Sequence, residues 1–338
     1  MTNKKIVLSI AALAVLALGS GVYLANHHGG QTTASNPSDA KTLTVYAAGP
    51  KPLSDKIVKG FEKSSGIKVK TFDGTTGKIL SKLKAEESNP QADVLVLASM
   101  AAGVDLQTHK KLLTYDAKNV DKLNAQFKDS KHQLFNYSAS AVGITYNTKE
   151  VKTAPTDWSD LTTATYKNSL TIPDPKTSGS SLDFINVYQM QHGQAFLKQL
   201  KQNGAEIGGA NKEVLDAVVT GQKKAVVGGV DYMSIAAIKK GEKIGFAYPK
   251  SGTLVNPRPA MILKSTKHAA AAKQFIDYLL SDTVQKQLKK SYLIPGTADK
   301  LTNPLNNAPI KSYSVNWNDA NKALEANVKR FNQVLSHD

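Results

Sequence analysis

The sequence predicts an α/β fold made of doubly wound sheets, and three observations support this fold class. Strand and helix patterns alternate from residue 43 onwards, which is typical of a sheet with helices on both faces. Residues 93–97 are almost continuously apolar, as expected of a parallel strand that is covered on both sides. With 338 residues, the chain is long enough for about two domains with separate cores.

The composition is that of a globular protein and excludes several kinds of site. Apolar residues make up 41% and charged residues 21% of the chain, which argues against a disordered protein. There is no cysteine, so disulfides, thiolate metal sites and cysteine nucleophiles are excluded. The net charge is +16, but the lysines are spread along predicted helices rather than clustered with aromatic residues. We therefore predict no nucleic-acid binding and interpret the charge as a basic surface near an anionic membrane or cell wall.

Residues 1–25 are predicted to be an N-terminal signal or anchor segment. Lys4 and Lys5 precede twenty uncharged residues, 6–25, which is enough to span a bilayer with the N-terminus in the cytoplasm. A cleaved signal peptide is the alternative. Tyr23 occupies the minus-three position before Ala25, where a cleavage signal has a small residue, so we favour an uncleaved anchor. Residues 26–41 are polar and are expected to form a flexible tether. Both alternatives predict an extracellular body, secreted or held at the cell surface.

The first predicted domain has three strands whose carboxyl ends carry small or hydroxylic residues. The strand patterns alternate with helix patterns along residues 43–97. In doubly wound sheets, ligands bind at the carboxyl ends of the strands. The candidate ligand-binding residues at these ends are Ala48, Gly49, Thr75, Thr76 and Ser99.

A second candidate site follows a short buried strand at residues 170–172. A hydroxyl-rich turn leads into a helix pattern, with Ser180 as the expected N-cap and Asp183 as its capping-box partner. The free amides and the dipole of such a helix start favour an anion, which Ser178, Gly179 and Ser180 would bind. The alternative is that these hydroxyls only cap the helix and shape the turn.

The remaining patterns divide the chain into two domains. We assign residues 43–145 and 256–338 to one domain and residues 146–255 to the other. Strands at residues 140–146 and from residue 258 onwards are expected to pass between them. A late helix pattern at the C-terminus is expected to pack on the first domain.

Asp231 and Tyr232 are further candidate ligand-binding residues. They follow a predicted strand that ends in Gly228-Gly229, where the backbone can approach a ligand closely. The alternative is that Asp231 caps the next helix and that Tyr232 only forms a wall of the pocket.

Nine short motifs occur in order over about residues 43–297. They lie at residues 45–50, 74–78, 89–94, 146–148, 158–161, 173–179, 228–232, 257–260 and 293–296. Taken together they resemble the extracellular solute-binding proteins of bacterial ABC importers, in the group that includes ferric-iron, phosphonate and hexose-phosphate binders.

The resemblance implies a two-lobed periplasmic-binding-protein fold of type II, in which the lobes close on a ligand in the cleft between them. It places the candidate residues named above in that cleft. It also implies a small anionic ligand, permease and ATPase subunits of an importer as partners, no cofactor and no enzymatic activity.

The sequence departs from the family's pattern at the position that distinguishes iron binders. Ferric-iron binders usually have two adjacent tyrosines where this chain has Asp231 and Tyr232, and its histidines are scattered. We therefore rank a phosphate- or phosphonate-bearing organic anion first, and ferric iron bound by Tyr232 and Asp231 second. Because Asp231 would accept from an amine or a sugar hydroxyl, aminoethylphosphonate and a sugar phosphate are preferred over inorganic phosphate.

A membrane-anchored hydrolase is a lower alternative. The chain contains neither Gly-x-Ser-x-Gly nor His-Glu-x-x-His, which excludes two common hydrolase motifs. A paired-carboxylate glycosidase stays open, because the distances between acidic side chains are not visible in a sequence.

Overall fold

The computed structural model describes residues 42–335 of the chain. The predicted N-terminal segment, residues 1–25, and the predicted tether, residues 26–41, lie outside the described residues. Within residues 42–335, no helix has the length and apolar character that crossing a bilayer requires.

The first part of the chain forms a parallel sheet with a strand order of β2-β1-β3. The elements are β1 (Thr42–Ala47), α1 (Lys51–Ser65), β2 (Lys68–Asp73), α2 (Thr76–Ala85), β3 (Val94–Val96) and α3 (Met100–Thr108). Its core contains Leu43, Val45 and Phe61, which α1 and the strands bury together. The alternation of apolar residues therefore produces the predicted doubly wound order.

Two long strands connect the first sheet to a second one. Strand β4 (Phe135–Asn147) pairs antiparallel with β9 (Val255–Ile262) through its first half and with β7 (Ala225–Val230) through its second half. Strand β9 also pairs with β3. With β5 (Leu170–Ile172) and β6 (Glu206–Ile207), the strand order is β2-β1-β3-β9-β4-β7-β5-β6. Strands β4 and β9 are therefore the crossover strands between two lobes.

The second sheet carries its own helices and its own core. Its elements are β5 (Leu170–Ile172), α4 (Gly179–His192), α5 (Ala195–Gln202), β6 (Glu206–Ile207), α6 (Asn211–Val219), β7 (Ala225–Val230), α7 (Asp231–Lys239) and β8 (Ile244–Ala247). Trp158 is buried in this core with its ring centroid 4.9 Å from that of Phe184. Each sheet thus has a separate hydrophobic cluster.

The chain returns to the first sheet and ends in a helix that contacts both lobes. The last elements are α8 (Ala269–Leu279), α9 (Asp282–Lys290), β10 (Ile294–Pro295) and α10 (Trp317–Leu335). Helix α10 contacts α3, as expected, but it also packs on α4 and α5 through Phe331 and Leu335. Asn186 Nδ2 on α4 donates to the carbonyl oxygen of Ala320 at 2.7 Å. The C-terminal helix therefore joins elements of the two sheets.

Candidate functional site

The cleft lies where the carboxyl ends of β1 and β3 face the start of α4. Ser178 is the N-cap of α4, since its Oγ accepts a hydrogen bond from the N–H of Ser181 at 3.1 Å. The expectation that Ser180 caps this helix with Asp183 as its partner is wrong. Ser180 is instead the second residue of the helix.

Three polar side chains meet at the start of α4. Ser178 Oγ lies 3.2 Å from Ser180 Oγ, and Asn211 Nδ2 donates to Ser180 Oγ at 2.9 Å. Asn211 is the first residue of α6, so the N-termini of two helices converge on these side chains. Ser178 and Ser180 are buried. The sequence does not indicate Asn211 as a site residue, because no pattern in it shows that α6 starts beside α4.

The two lobes contact each other directly across the cleft at Thr76 and Gly179. The N–H of Gly77 donates to the carbonyl oxygen of Thr177 at 3.2 Å. A Cβ atom on Gly179 would lie 2.4 Å from Thr76 Oγ1 and 2.8 Å from the carbonyl oxygen of Ala98. Only a glycine permits this approach. Thr75 caps α2 through its Oγ1, which accepts from the N–H of Lys78 at 3.3 Å.

Ser99 contacts a carboxylate of the opposite lobe. Its hydroxyl donates to Asp183 Oδ1 at 2.6 Å, and the N–H of Met100 donates to Asp183 Oδ2 at 2.6 Å. Ser99 Oγ also accepts from the N–H of Ala102 as the N-cap of α3. Burial raises the pKa of Asp183 to about 7, although these donors act in the opposite direction. The anion at the start of α3 is therefore a side chain of α4.

Asp231 and Tyr232 begin α7 at the end of β7. Asp231 Oδ1 accepts from the N–H of Tyr232 at 2.7 Å, and Asp231 Oδ2 accepts from the hydroxyl of Tyr248 at 3.2 Å. Burial raises the pKa of Asp231 to about 7. The N-cap of α7 is Val230, so Asp231 is not the cap.

A buried arginine that the sequence analysis did not include lies beside these residues. Arg258 is 2% exposed, and its Nη2 donates to the carbonyl oxygen of Ala48 at 2.5 Å. Its guanidinium carbon lies 5.6 Å from the ring centroid of Tyr232. Burial raises the pKa of Tyr232, and the nearby Arg258 acts in the opposite direction. Gly49 is adjacent, since a Cβ atom there would lie 3.5 Å from Arg258 Nη2.

The candidate residues therefore form two groups. Ala48 and Gly49 meet Tyr232 around Arg258, whereas Thr76 meets Gly179 at the start of α4. A groove of about 440 Å³ opens beside Tyr232, with Lys212 and Pro50 among its lining residues. The groove therefore borders the group around Arg258, and its lining residue Lys212 is next to Asn211 in the chain. Among the described residues, no group of three or more His, Asp or Glu side chains could hold a metal ion.

The chain belongs to the family of bacterial extracellular solute-binding proteins, whose model matches residues 89–323. It is 26% identical to a periplasmic protein of Salmonella typhimurium provisionally named for binding 2-aminoethylphosphonate, covering 90% of this chain and 96% of that protein. It is 25% identical to the major ferric iron-binding protein of Neisseria meningitidis serogroup B, covering 84% and 86%.

A solved structure extends the likeness to the fold. The periplasmic binding protein AfuA of Actinobacillus pleuropneumoniae, solved with fructose-6-phosphate bound, superposes with a TM-score of 0.76 at 21% identity. The match covers 87% of this chain and 98% of that structure. The prediction of a two-lobed type II periplasmic-binding-protein fold is confirmed.

The family also defines the general role. The chain is a solute-binding component of an ABC importer and not an enzyme, as the sequence analysis predicted. Proteins of this family bind small molecules outside the cytoplasmic membrane and work with the permease and ATPase components of the importer.

Proposed function

We propose that the cleft captures a small organic anion that carries a phosphate or phosphonate group and delivers it to the importer. In this proposal, Ser178, Gly179 and Ser180 surround the anionic group at the start of α4. Thr75, Thr76 and Ser99 border this part of the cleft, while Ala48, Gly49, Asp231 and Tyr232 contact the remainder of the ligand.

The observation that carries the proposal is the set of donors where α4 and α6 converge. Ser178, Ser180 and Asn211 bring two hydroxyls and an amide to one point, beside amides of two helix N-termini. Helix N-termini favour negative charge, and direct hydrogen bonds from amides and hydroxyls bind phosphate groups without a metal. The relatives named for a phosphonate and the neighbour with a bound sugar phosphate support the same ligand class.

The charges around Tyr232 favour an anion over ferric iron. Arg258 places a buried guanidinium beside the phenol that an iron site would use, and a cation there opposes the entry of a trivalent cation. Burial also raises the pKa of Tyr232 and of Tyr248, which disfavours the phenolate forms that bind ferric iron. Asp231 supplies a carboxylate that can accept from a hydroxyl or an amine of the ligand.

Calorimetry with a panel of ligands tests the proposal. We expect 2-aminoethylphosphonate or fructose 6-phosphate to bind, and ferric citrate not to bind. Ser180→Ala should weaken the binding about fivefold, because a hydrogen bond to the ligand contributes about 1 kcal/mol. Tight binding of ferric iron, with no binding of any organophosphorus compound, would contradict the proposal.

The N-terminal segment and the lobe boundaries belong to the same proposal. We infer that residues 1–25 export the chain and keep it at the membrane, because a long uncharged stretch follows two lysines. Residues 43–145 with the return from residue 256 form one lobe, and residues 146–255 form the other; the lengths of β4 and β9 support boundaries near these residues. The intact mass of the protein recovered from washed membranes tests the anchor, since cleavage would remove the mass of the segment.

A further inference from the structure

Four buried polar side chains lie on one face of the crossover strands, beneath the cleft. Ser138 is paired with Arg258 and Ser140 with Asn256 in the antiparallel register of β4 and β9. Residues that are directly opposite in an antiparallel pair point to the same face, so these four side chains form one row. We call Ser138, Ser140, Asn256 and Arg258 the crossover row.

The crossover row faces the ligand site. Arg258 contacts Ala48 and Tyr232, and Asn256 Nδ2 donates to the carbonyl oxygen of Ala98 at 3.0 Å. Ala48 and Ala98 follow β1 and β3 at the carboxyl edge of the first sheet, whereas Tyr232 comes from the second lobe. The row therefore lies at the base of the cleft, between the two lobes.

Each member of the crossover row has a buried polar atom without a protein partner. The atoms are Ser138 Oγ, Ser140 Oγ, Asn256 Oδ1 and Arg258 Nε. All four side chains are at most 2% exposed. A buried polar atom without a hydrogen bond destabilises the fold, so a row of four such atoms indicates a missing polar partner.

The chemistry of these atoms restricts what that partner can be. Arg258 Nε can only donate, and Asn256 Oδ1 can only accept, while the two serine hydroxyls can do either. With its phosphonate bound at the start of α4, an aminoalkylphosphonate has only its ammonium group left for the row, and that group can donate to Asn256 Oδ1 but has no lone pair for Arg258 Nε. Hydroxyl groups both donate and accept, so a ligand with several hydroxyl groups can form hydrogen bonds with all four atoms of the row.

We infer that the ligand is a phosphorylated polyol, such as a sugar phosphate, rather than an aminoalkylphosphonate. The inference rests on the proposed function: the phosphate binds at the start of α4, and the hydroxyls of the ligand bind the crossover row. The crossover row then determines the specificity for the ligand. The groove beside Tyr232 holds the part of the ligand that extends beyond the row.

Calorimetry on the intact chain tests the inference with four probes. They are fructose 6-phosphate, propyl phosphate, 2-aminoethylphosphonate and inorganic phosphate. We expect fructose 6-phosphate to bind at least about tenfold more tightly than propyl phosphate, which keeps the phosphate and lacks the hydroxyls. Ser138→Ala and Ser140→Ala should each weaken fructose 6-phosphate about three- to tenfold and leave propyl phosphate unchanged.

Thermal unfolding of the ligand-free variants separates recognition from folding. Because the hydroxyls of Ser138 and Ser140 have no protein partner, their removal should leave the melting temperature unchanged or raise it. Ser234→Ala is the matched control, since Ser234 Oγ is buried and bonds to Thr145 Oγ1 at 2.7 Å. It should lower the melting temperature and leave the preference between the two phosphates unchanged.

The outcomes distinguish this inference from the proposed function. Binding of 2-aminoethylphosphonate without fructose 6-phosphate would overturn the polyol inference and leave the proposed function standing. Tight fructose 6-phosphate binding that is insensitive to both serine variants would also overturn the inference. If none of the organophosphorus probes binds, the proposed function itself fails.

Discussion

Adding one methyl group to Gly179 is expected to prevent full closure of the cleft. In the structure, a Cβ atom on Gly179 would lie 2.4 Å from Thr76 Oγ1, 2.8 Å from the carbonyl oxygen of Ala98 and 2.9 Å from its carbonyl carbon. Two of these atoms belong to the backbone of the opposite lobe, so rotating a side chain cannot relieve the overlap. Gly179→Ala should therefore disturb closure, while α4 itself forms at least as well, because Ala is the better helix former.

The expected cost follows from these distances. Favourable contacts between heavy atoms lie at about 3.5 Å, so the lobes must separate locally by roughly 1 Å. The neighbouring bond from the N–H of Gly77 to the carbonyl oxygen of Thr177 is already 3.2 Å long, and such a displacement would break it. Losing one hydrogen bond and the surrounding contacts costs about 1–3 kcal/mol, which corresponds to an affinity roughly 5- to 150-fold weaker.

Calorimetry and small-angle X-ray scattering measure the two consequences. With the ligand that the unmodified protein binds most tightly, Gly179→Ala should raise the Kd and should reduce the ligand-induced decrease in the radius of gyration. Gly60→Ala is the matched control, because its added methyl group on α1 meets only the end of the Tyr278 side chain. Unchanged affinity and full compaction of the Gly179 variant would refute the view that these two segments meet when the ligand binds.

Three further predictions concern charged groups of the cleft. Since burial raises the pKa values of Asp183 and Asp231 to about 7, the folded state binds protons that the unfolded state releases. The free energy of unfolding should therefore fall as the pH rises from about 4 to about 7, by up to about 1.4 kcal/mol per pH unit and group. When the free energy of unfolding is measured with urea at a series of pH values, each Asp→Asn variant should show a smaller decrease per pH unit. Arg258→Met should weaken anion binding at least about tenfold in calorimetry, because it removes a buried cation, and an unchanged Kd would exclude Arg258 from the site. Asp183→Ala should weaken ligand binding and speed ligand release in stopped-flow measurements, since it removes the hydrogen bonds to Ser99 and Met100; equal kinetics would show that the contact does not depend on closure.

The periodic elements of the fold were predictable from the sequence because their burial follows simple rules. The strand expected at residues 170–172 is Leu170–Ile172, and the strand expected at residues 93–97 is Val94–Val96. The crossover strands were underestimated: the strand expected from residue 140 begins at Phe135. Its first half carries polar Asn136, Ser138 and Ser140, a pattern that suggests exposure, although all three residues are buried in the structure.

Prolines obscured the second crossover strand. The strand expected from residue 258 begins at Val255, and it includes Pro257 and Pro259, which sequence rules confine to edges and ends of strands. A single arginine between two prolines therefore gave no sign that it would be buried. Only the pairing of β9 with β4 places Arg258 at the base of the cleft.

The sequence predicted only those candidate site residues that lie in loops at the ends of strands. The carboxyl ends of strands indicated Ala48, Thr76 and Ser99, because the geometry of parallel sheets is general. The partners of these residues come from distant parts of the chain: Asp183 lies 84 residues from Ser99, and Arg258 lies 210 residues from Ala48. Such contacts depend on how the lobes meet, which no local pattern contains.

Native mass spectrometry of the protein as purified tests the central claim most directly, because a closed cleft can retain its ligand. We predict a mass excess equal to that of a phosphate-bearing organic molecule, which collisional activation releases as an anion. The excess should be reduced in the Ser180→Ala preparation and reduced further in the Arg258→Met preparation. An excess equal to the mass of iron, retained in the Arg258 variant, would contradict the claim that this cleft binds an organic anion.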